Sequence, residues 1–156
     1  MRSQVTSLRR SSLAVASGVV ALDQITKHWA VSQLNDGHVV NVLGSLRLNL
    51  SFNNGMAFSQ GTGIGPIIGV LGMIVVVFLL AGMRRSSVSG AVFVGLVAGG
   101  AAGNIVDRLF RGDAWLHGAV VDFIDLQWWP VFNIADAAIC IGGALLVFTS
   151  FRTEKS

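Results

Sequence analysis

The chain alternates long apolar runs with short polar segments. Residues 13–31 are apolar until they meet Asp23, Gln24 and Lys27, residues 66–83 carry no charge before the following arginines, residues 88–106 are apolar and glycine-rich, and residues 134–151 close the series. The uncharged run of 18 residues at 66–83 reaches about 27 Å as a helix, close to the hydrocarbon thickness of a bilayer. The pattern predicts four spans, at about 13–31, 66–83, 88–106 and 134–151. Between the first two runs the period changes. Leu46, Leu48, Leu50 and Phe52 alternate with Ser45, Arg47, Asn49 and Ser51, the period of two that marks a strand, and Asn53-Asn54-Gly55 follows as a turn signal. Two or three short strands are expected within residues 37–59, standing on the outer membrane surface, with a simple loop as the alternative. Residues 110–130 read as a polar and aromatic outer loop. The expected fold is an all-α membrane protein: one integral membrane domain over residues 1–156, with four transmembrane helices, a small extracytoplasmic β element and an outer loop.

Composition supports lipid as the surrounding medium, since 53% of the residues are hydrophobic and 12% charged. The net charge of +3 would suit nucleic acid if the basic residues formed one surface. They sit instead in short clusters between apolar runs: Arg2, Arg9 and Arg10, then Arg84 and Arg85, then Arg152 and Lys155. With four spans these clusters share one side, which the positive-inside rule makes cytoplasmic together with both termini. Every aspartate then lies at an outer helix end or in an outer loop. Trp29, Trp115, Trp128 and Trp129 fall near span ends or in loops, where indoles sit at headgroup level. The basic start followed by an apolar stretch lacks a clear small-x-small cleavage site, so an uncleaved first span is expected. Cys140 reads as a small packing residue within an apolar run.

In so apolar a chain, the carboxylates beside apolar runs are the informative residues, because an unpaired charge there costs several kcal/mol, roughly, unless it is shared, paired or used. Asp122 sits between Val121 and Phe123 with no adjacent cation, and Asp125 reads as the solvated face of the same short segment. Asn133 fits the N-cap of the fourth span with Asp136 at its third position, where the helix dipole favours an anion; that bland role is compatible with Asp136 being the ionised member of a carboxylate pair. Two carboxylates without metal or cofactor suit hydrolysis, one taking a proton from water while the other polarises a carbonyl. Asp23 and Lys27 are spaced for an ion pair on one helix face. Asp107 reads as an ion pair with Arg108, and Asn104, Asp107 and Arg108 should project from one side of their helix end. His28, His38 and His117 are scattered without metal-ligand spacing, and Ser87-Val88-Ser89-Gly90 lacks a basic partner, so neither a metal centre nor a serine nucleophile is expected.

Taken in order, Asp23-Gln24-Ile25-Thr26-Lys27, Asn53-Asn54-Gly55-Met56-Ala57-Phe58, Gly103-Asn104-Ile105-Val106-Asp107-Arg108, Val121-Asp122-Phe123 and Phe132-Asn133-Ile134-Ala135-Asp136 resemble the successive motifs of bacterial lipoprotein signal peptidase, signal peptidase II. The resemblance covers nearly the whole chain. It implies a four-span aspartic endopeptidase of the bacterial inner membrane that removes signal peptides from prolipoproteins carrying a diacylglyceryl-modified cysteine, working at the extracytoplasmic surface without a cofactor. It also implies Asp122 and Asp136 as the catalytic pair, with Asp23, Lys27, Asn53, Gly55, Asn104, Asp107, Arg108, Asn133 and Ala135 supporting the site or holding substrate. The partners implied are prolipoproteins and membrane lipid, and no nucleic acid. A small four-span proton-coupled transporter is the alternative from another class, and it would place a carboxylate near the middle of a span.

Overall fold

The apolar runs become helices and the alternating segment becomes strands. In the computed structural model, which describes residues 2–55, 65–82 and 87–153, the order is α1 (Arg2–Leu34), β1 (Val40–Leu43), β2 (Leu46–Asn53), α2 (Gly65–Gly82), α3 (Val88–Phe110), β3 (Val120–Asp125) and α4 (Ile134–Thr153). The Met56-Ala57-Phe58 part of the second motif and the Arg84-Arg85 turn lie outside the described residues. Helix α3 has the length and composition to cross a membrane on its own, with 23 residues and a mean hydropathy of 1.6 in its most apolar stretch. Helices α2 and α4 contain shorter apolar stretches, Pro66–Phe78 and Ile134–Thr149. Helix α1 runs 33 residues, well beyond the expected 13–31, and its polar residues dilute its apolar character. Helix length alone therefore does not establish four spans.

Helix α3 is central, touching α1, α2 and α4. Its small residues let the neighbours approach to backbone distance. A Cβ at Gly99 would come within 2.8 Å of the Ala16 carbonyl oxygen on α1, and one at Gly100 within 2.3 Å of the Ala135 carbonyl oxygen at the start of α4. The start of α3 is capped by Ser87, whose hydroxyl accepts from the Gly90 N–H at 3.1 Å, a structural use for the serine pair. The polarity of the bundle is inverted relative to a water-soluble protein: Ile25, Ile67, Ile74, Val77, Phe78, Val147 and Phe148 are exposed, whereas Asp23, Lys27, Asp107 and Arg108 are buried.

The sheet corrects two expectations. It has three antiparallel strands in the order β1-β2-β3, and the third comes from within residues 110–130, the stretch expected to be loop. Strand β3 shows no hydrophobic alternation because nearly all of it is buried. Asp125, expected to be solvated, is only 3% exposed; it faces Arg47 across the β2–β3 register, accepts from Arg47 Nε at 2.7 Å and from the Gln127 N–H at 2.7 Å. Those hydrogen bonds outweigh the burial that pushes its pKa up and hold it below the ordinary carboxylate value. A bridge between Ile124 and Phe132 then turns the chain back toward α4.

Because Gly100 abuts the backbone that begins α4, Gly100→Ala should lower the thermal unfolding temperature in detergent, as overpacking of ~1–3 kcal/mol would. Gly18→Ala, where an added Cβ meets nothing within 4 Å, should leave it within experimental scatter. Equal unfolding temperatures for the two variants would contradict this packing.

Candidate active site

The site is built from the first helix outward. Asp23 and Lys27, one turn apart on α1, form the expected pair at 2.9 Å, and Lys27 Nζ lies equally 2.9 Å from Asp107 Oδ2 of α3, with all three side chains fully buried. Its third proton goes to Asn104 Oδ1, also at 2.9 Å. An ammonium has three donors, and here each has its own acceptor. Asp107 does not pair with its neighbour Arg108, since consecutive helical residues point in different directions; it takes Arg111 Nε at 2.7 Å one turn further on. Gln24 closes the cluster, its amide lying 3.2 Å from Asp23 Oδ2, 3.2 Å from Asp107 Oδ1 and 3.1 Å from the Gly103 carbonyl. Gln24 and Arg111 are absent from the sequence-derived site residues. The spacing of Asp107 and Arg111, four apart, is the available signal for the latter.

The two carboxylates of this cluster reach the segments that carry the other two. Asp23 Oδ1 accepts the N–H of Ala135, directly before Asp136, at 2.9 Å, and Asp107 Oδ2 accepts the N–H of Val121, directly before Asp122, at 3.1 Å. Ala135 is fully buried.

Asn133 and Asp136 form a reciprocal cap: Asn133 Oδ1 accepts from the Asp136 N–H at 2.9 Å, and Asp136 Oδ2 accepts from the Asn133 N–H at 3.2 Å. The remaining oxygen, Asp136 Oδ1, accepts from Asn104 Nδ2 at 2.8 Å. On β3, Asp122 is 3% exposed; its Oδ1 accepts from Asn133 Nδ2 at 2.7 Å and its Oδ2 from Asn53 Nδ2 at 3.3 Å. Asn133 thus touches both carboxylates. Burial, first, and the neighbouring charge of Asp136, second, push the Asp122 pKa up to about 7 against the opposing hydrogen bonds from Asn133 and Asn53.

Both carboxylates line a cavity of about 440 Å³ that also meets Asn53, Gly55, Asn104 and Arg108. Arg108 Nη2 donates to the Gly55 carbonyl at 3.0 Å, tying the end of β2 over the cavity, and the Gly55 N–H donates to Asn53 Oδ1 at 3.0 Å. Arg108 Nη1 is buried without a partner among the described residues. An adjoining apolar recess of about 350 Å³ opens between Trp128, Trp129 and α4 and shares Asp136 with the first cavity. Cys140 lies exposed on the wall common to both rather than packed within the bundle. The structure therefore brings together all eleven residues singled out from the sequence, nine of them by side-chain contacts around the carboxylates and Gly55 and Ala135 by backbone contacts.

A helical bundle inverted in polarity, with a small sheet closing over a carboxylate pair in one cavity, is the architecture of a membrane-embedded enzyme. Two solved bacterial membrane enzymes are similar to it, at TM-scores of 0.78 and 0.74 and 28% sequence identity, covering 93% and 90% of this chain and 89% and 91% of theirs. The signal peptidase (SPase) II family matches residues 15–152. Relatives named lipoprotein signal peptidase are 41% identical in Mycobacterium leprae and 43% in Mycobacterium avium, covering 90% and 88% of this chain and 71% and 76% of theirs. The chain belongs to the signal peptidase II family of peptidases.

The raised pKa of Asp122 has a consequence for stability. In the unfolded chain its carboxyl loses its proton near pH 4, about as a free aspartate does, while the folded protein holds it to about 7. The stability this proton confers is complete at low pH and is lost as pH rises through that window. Asp122→Asn cannot ionise, so its unfolding temperature relative to the parent should rise between pH 5 and pH 8, by the equivalent of a few kcal/mol at most, because each tenfold change in proton affinity corresponds to ~1.4 kcal/mol. Parallel curves for parent and variant would contradict the assignment.

Proposed function

We propose that this protein is a multi-pass aspartic endopeptidase of the bacterial inner membrane that removes the signal peptide from prolipoproteins whose cysteine carries diacylglycerol. The observation that carries this reading is the pair of carboxylates bridged by Asn133 in one cavity, with burial and mutual repulsion favouring a single shared proton. Asp136, receiving donors on both oxygens, serves as the base; Asp122 holds the proton. Water between them gives a proton to Asp136 and attacks the scissile carbonyl, whose oxygen takes the proton of Asp122. Collapse of the tetrahedral intermediate returns a proton to Asp122 from the hydroxyl, while Asp136 passes its own to the leaving amine, and the starting state is restored. Arg108 Nη1, which has no partner among the described residues, is a donor available to a substrate carbonyl, and the end of β2 at Asn53 with the following Gly55 offers backbone to an extended peptide. The apolar recess behind Trp129 suits an apolar part of the same substrate.

The proposed topology has four spans, both termini in the cytoplasm and the site at the outer surface. A proton-coupled transporter is not favoured: the candidate pair sits on a strand and a helix start, and Asp23, the carboxylate within α1, is engaged by Lys27.

Purified protein should cut a diacylglyceryl-modified precursor, and Asp122→Asn and Asp136→Asn should each lose at least about a thousand-fold in kcat, as removal of a reacting group does, while still binding precursor. An unmodified precursor should be cut poorly, since each buried CH₂ of an acyl chain contributes ~0.8 kcal/mol to binding. Substantial turnover by either variant would remove that residue from the pair, and equal rates on the two precursors would defeat the substrate assignment.

A further inference from the structure

We infer that Lys27 is a positioning residue for the proposed carboxylate pair, acting through Asn104 to fix which way its amide faces and hence whether Asp136 receives its N–H. The inference rests on the reading of Asp122 and Asp136 as the catalytic pair. Asn104 Oδ1 accepts from Lys27 Nζ at 2.9 Å and from Asn133 Nδ2 at 3.2 Å, and Asn104 Nδ2 donates to Asp136 Oδ1 at 2.8 Å. An ammonium can only donate. If the Asn104 amide turned over, its NH₂ would face the ammonium and the Asn133 amide, and its oxygen would face the Asp136 carboxylate. Three favourable contacts would become repulsive at once. The cation, a fixed charge acting with the Asn133 amide and the Asp136 carboxylate, thus strengthens the selection of one amide orientation at a position where both have the same shape, and the selected one supports an anion at Asp136.

Lys27 bears on the pair by two further routes. Through Asp23 it holds the acceptor of the Ala135 N–H, and through Asp107 that of the Val121 N–H, so each of its three protons leads to a residue bonded or adjacent to a reacting carboxylate. Among the described residues, the charged groups around the pair are Asp23 and Lys27 from α1, Asp107 and Arg108 from α3 with Arg111 on Asp107, and the two members themselves from β3 and α4; β2 contributes the neutral Asn53 there, its Arg47 being engaged by Asp125. Of these, Lys27 is the one that contacts the Asn104 oxygen.

The test compares the parent with Lys27→Gln and, because the single change leaves excess buried negative charge, with the charge-balanced Asp23→Asn/Lys27→Gln. Each is combined with Asn104→Ala, and each is assayed on the diacylglyceryl-modified precursor across pH, with thermal unfolding in detergent as the folding control. The folded Lys27 variants should lose about ten- to a hundred-fold in kcat, the effect of one charge-assisted hydrogen bond, with KM changed less than about three-fold on the same scale. The acid limb of the pH–rate profile should move at least about half a pH unit toward neutrality, because the anion loses its fixed donor. Adding Asn104→Ala should cost the Lys27 variants much less than it costs the parent. A folded variant with the parental acid limb, or additive losses with Asn104→Ala, would overturn the inference. Failure of the parent to cut the precursor would instead overturn the proposed function, so the two failures are distinguishable.

Discussion

The structure depends on an ammonium buried where no water reaches. Lys27 is fully enclosed and survives there as a charge because two carboxylates and an amide oxygen replace its hydration shell, each at 2.9 Å. Breaking such a cluster by removing one member costs roughly 3–5 kcal/mol, since the others are left charged and unpaired. The cluster therefore fixes α1 against α3, and its carboxylates fix the backbone N–H groups at the entrances to β3 and α4. Electrostatics does here what a hydrophobic core does in a soluble protein. The helices gain little from hiding apolar surface when their surroundings are apolar as well, so close packing at glycine and polar contacts carry the specificity.

That arrangement separates two demands that conflict at any site of this kind. A carboxylate pair that shares a proton must be desolvated and crowded with negative charge, and both conditions destabilise the fold. Asp122 shows the cost, since burial drives its pKa to about 7. The charges of Asp23, Lys27, Asp107 and Arg111 pair with one another and reach the chain at the backbone N–H groups of Val121 and Ala135, each one residue before a carboxylate, rather than bonding to Asp122 itself. A cation bonded directly to Asp122 would stabilise its anion and cancel the upward shift of its pKa. The neutral amides of Asn53, Asn104 and Asn133 orient the pair without doing so.

The sheet serves the same end. Strand β2 and the turn after it present Asn53 and Gly55 at the cavity, and β3 delivers Asp122 beside them through the pairing of Ser51 with Asp122 and Asn53 with Val120. Arg47 and Asp125 lock the far end of that pair of strands. With Trp128 and Trp129 exposed at the mouth, the cavity opens beside aromatic surface of the kind found at headgroup level.

The linear pattern of residues by itself determined the helices, because an apolar run of sufficient length has few other ways to satisfy its backbone, and it determined the β2 strand, because a half-buried strand writes its period of two into the sequence. It also exposed the motif residues, since polar side chains are conspicuous in a chain that is 12% charged. Tertiary structure alone decided the rest. Strand β3 is buried nearly throughout and so lacks the alternation that would announce it. Asp125 reads as solvated in the sequence because its partner, Arg47, is 78 residues away in the chain. Asp107 reads as the partner of Arg108 because adjacency is visible in a sequence and direction is not; α3 turns one toward Lys27 and the other toward Gly55. Spacing along one helix reveals the pair of Asp23 with Lys27. What that pair is for depends on contacts with α3, β3 and α4, which no local pattern records, because the hydrogen bonds that make the site run between segments brought together only by packing.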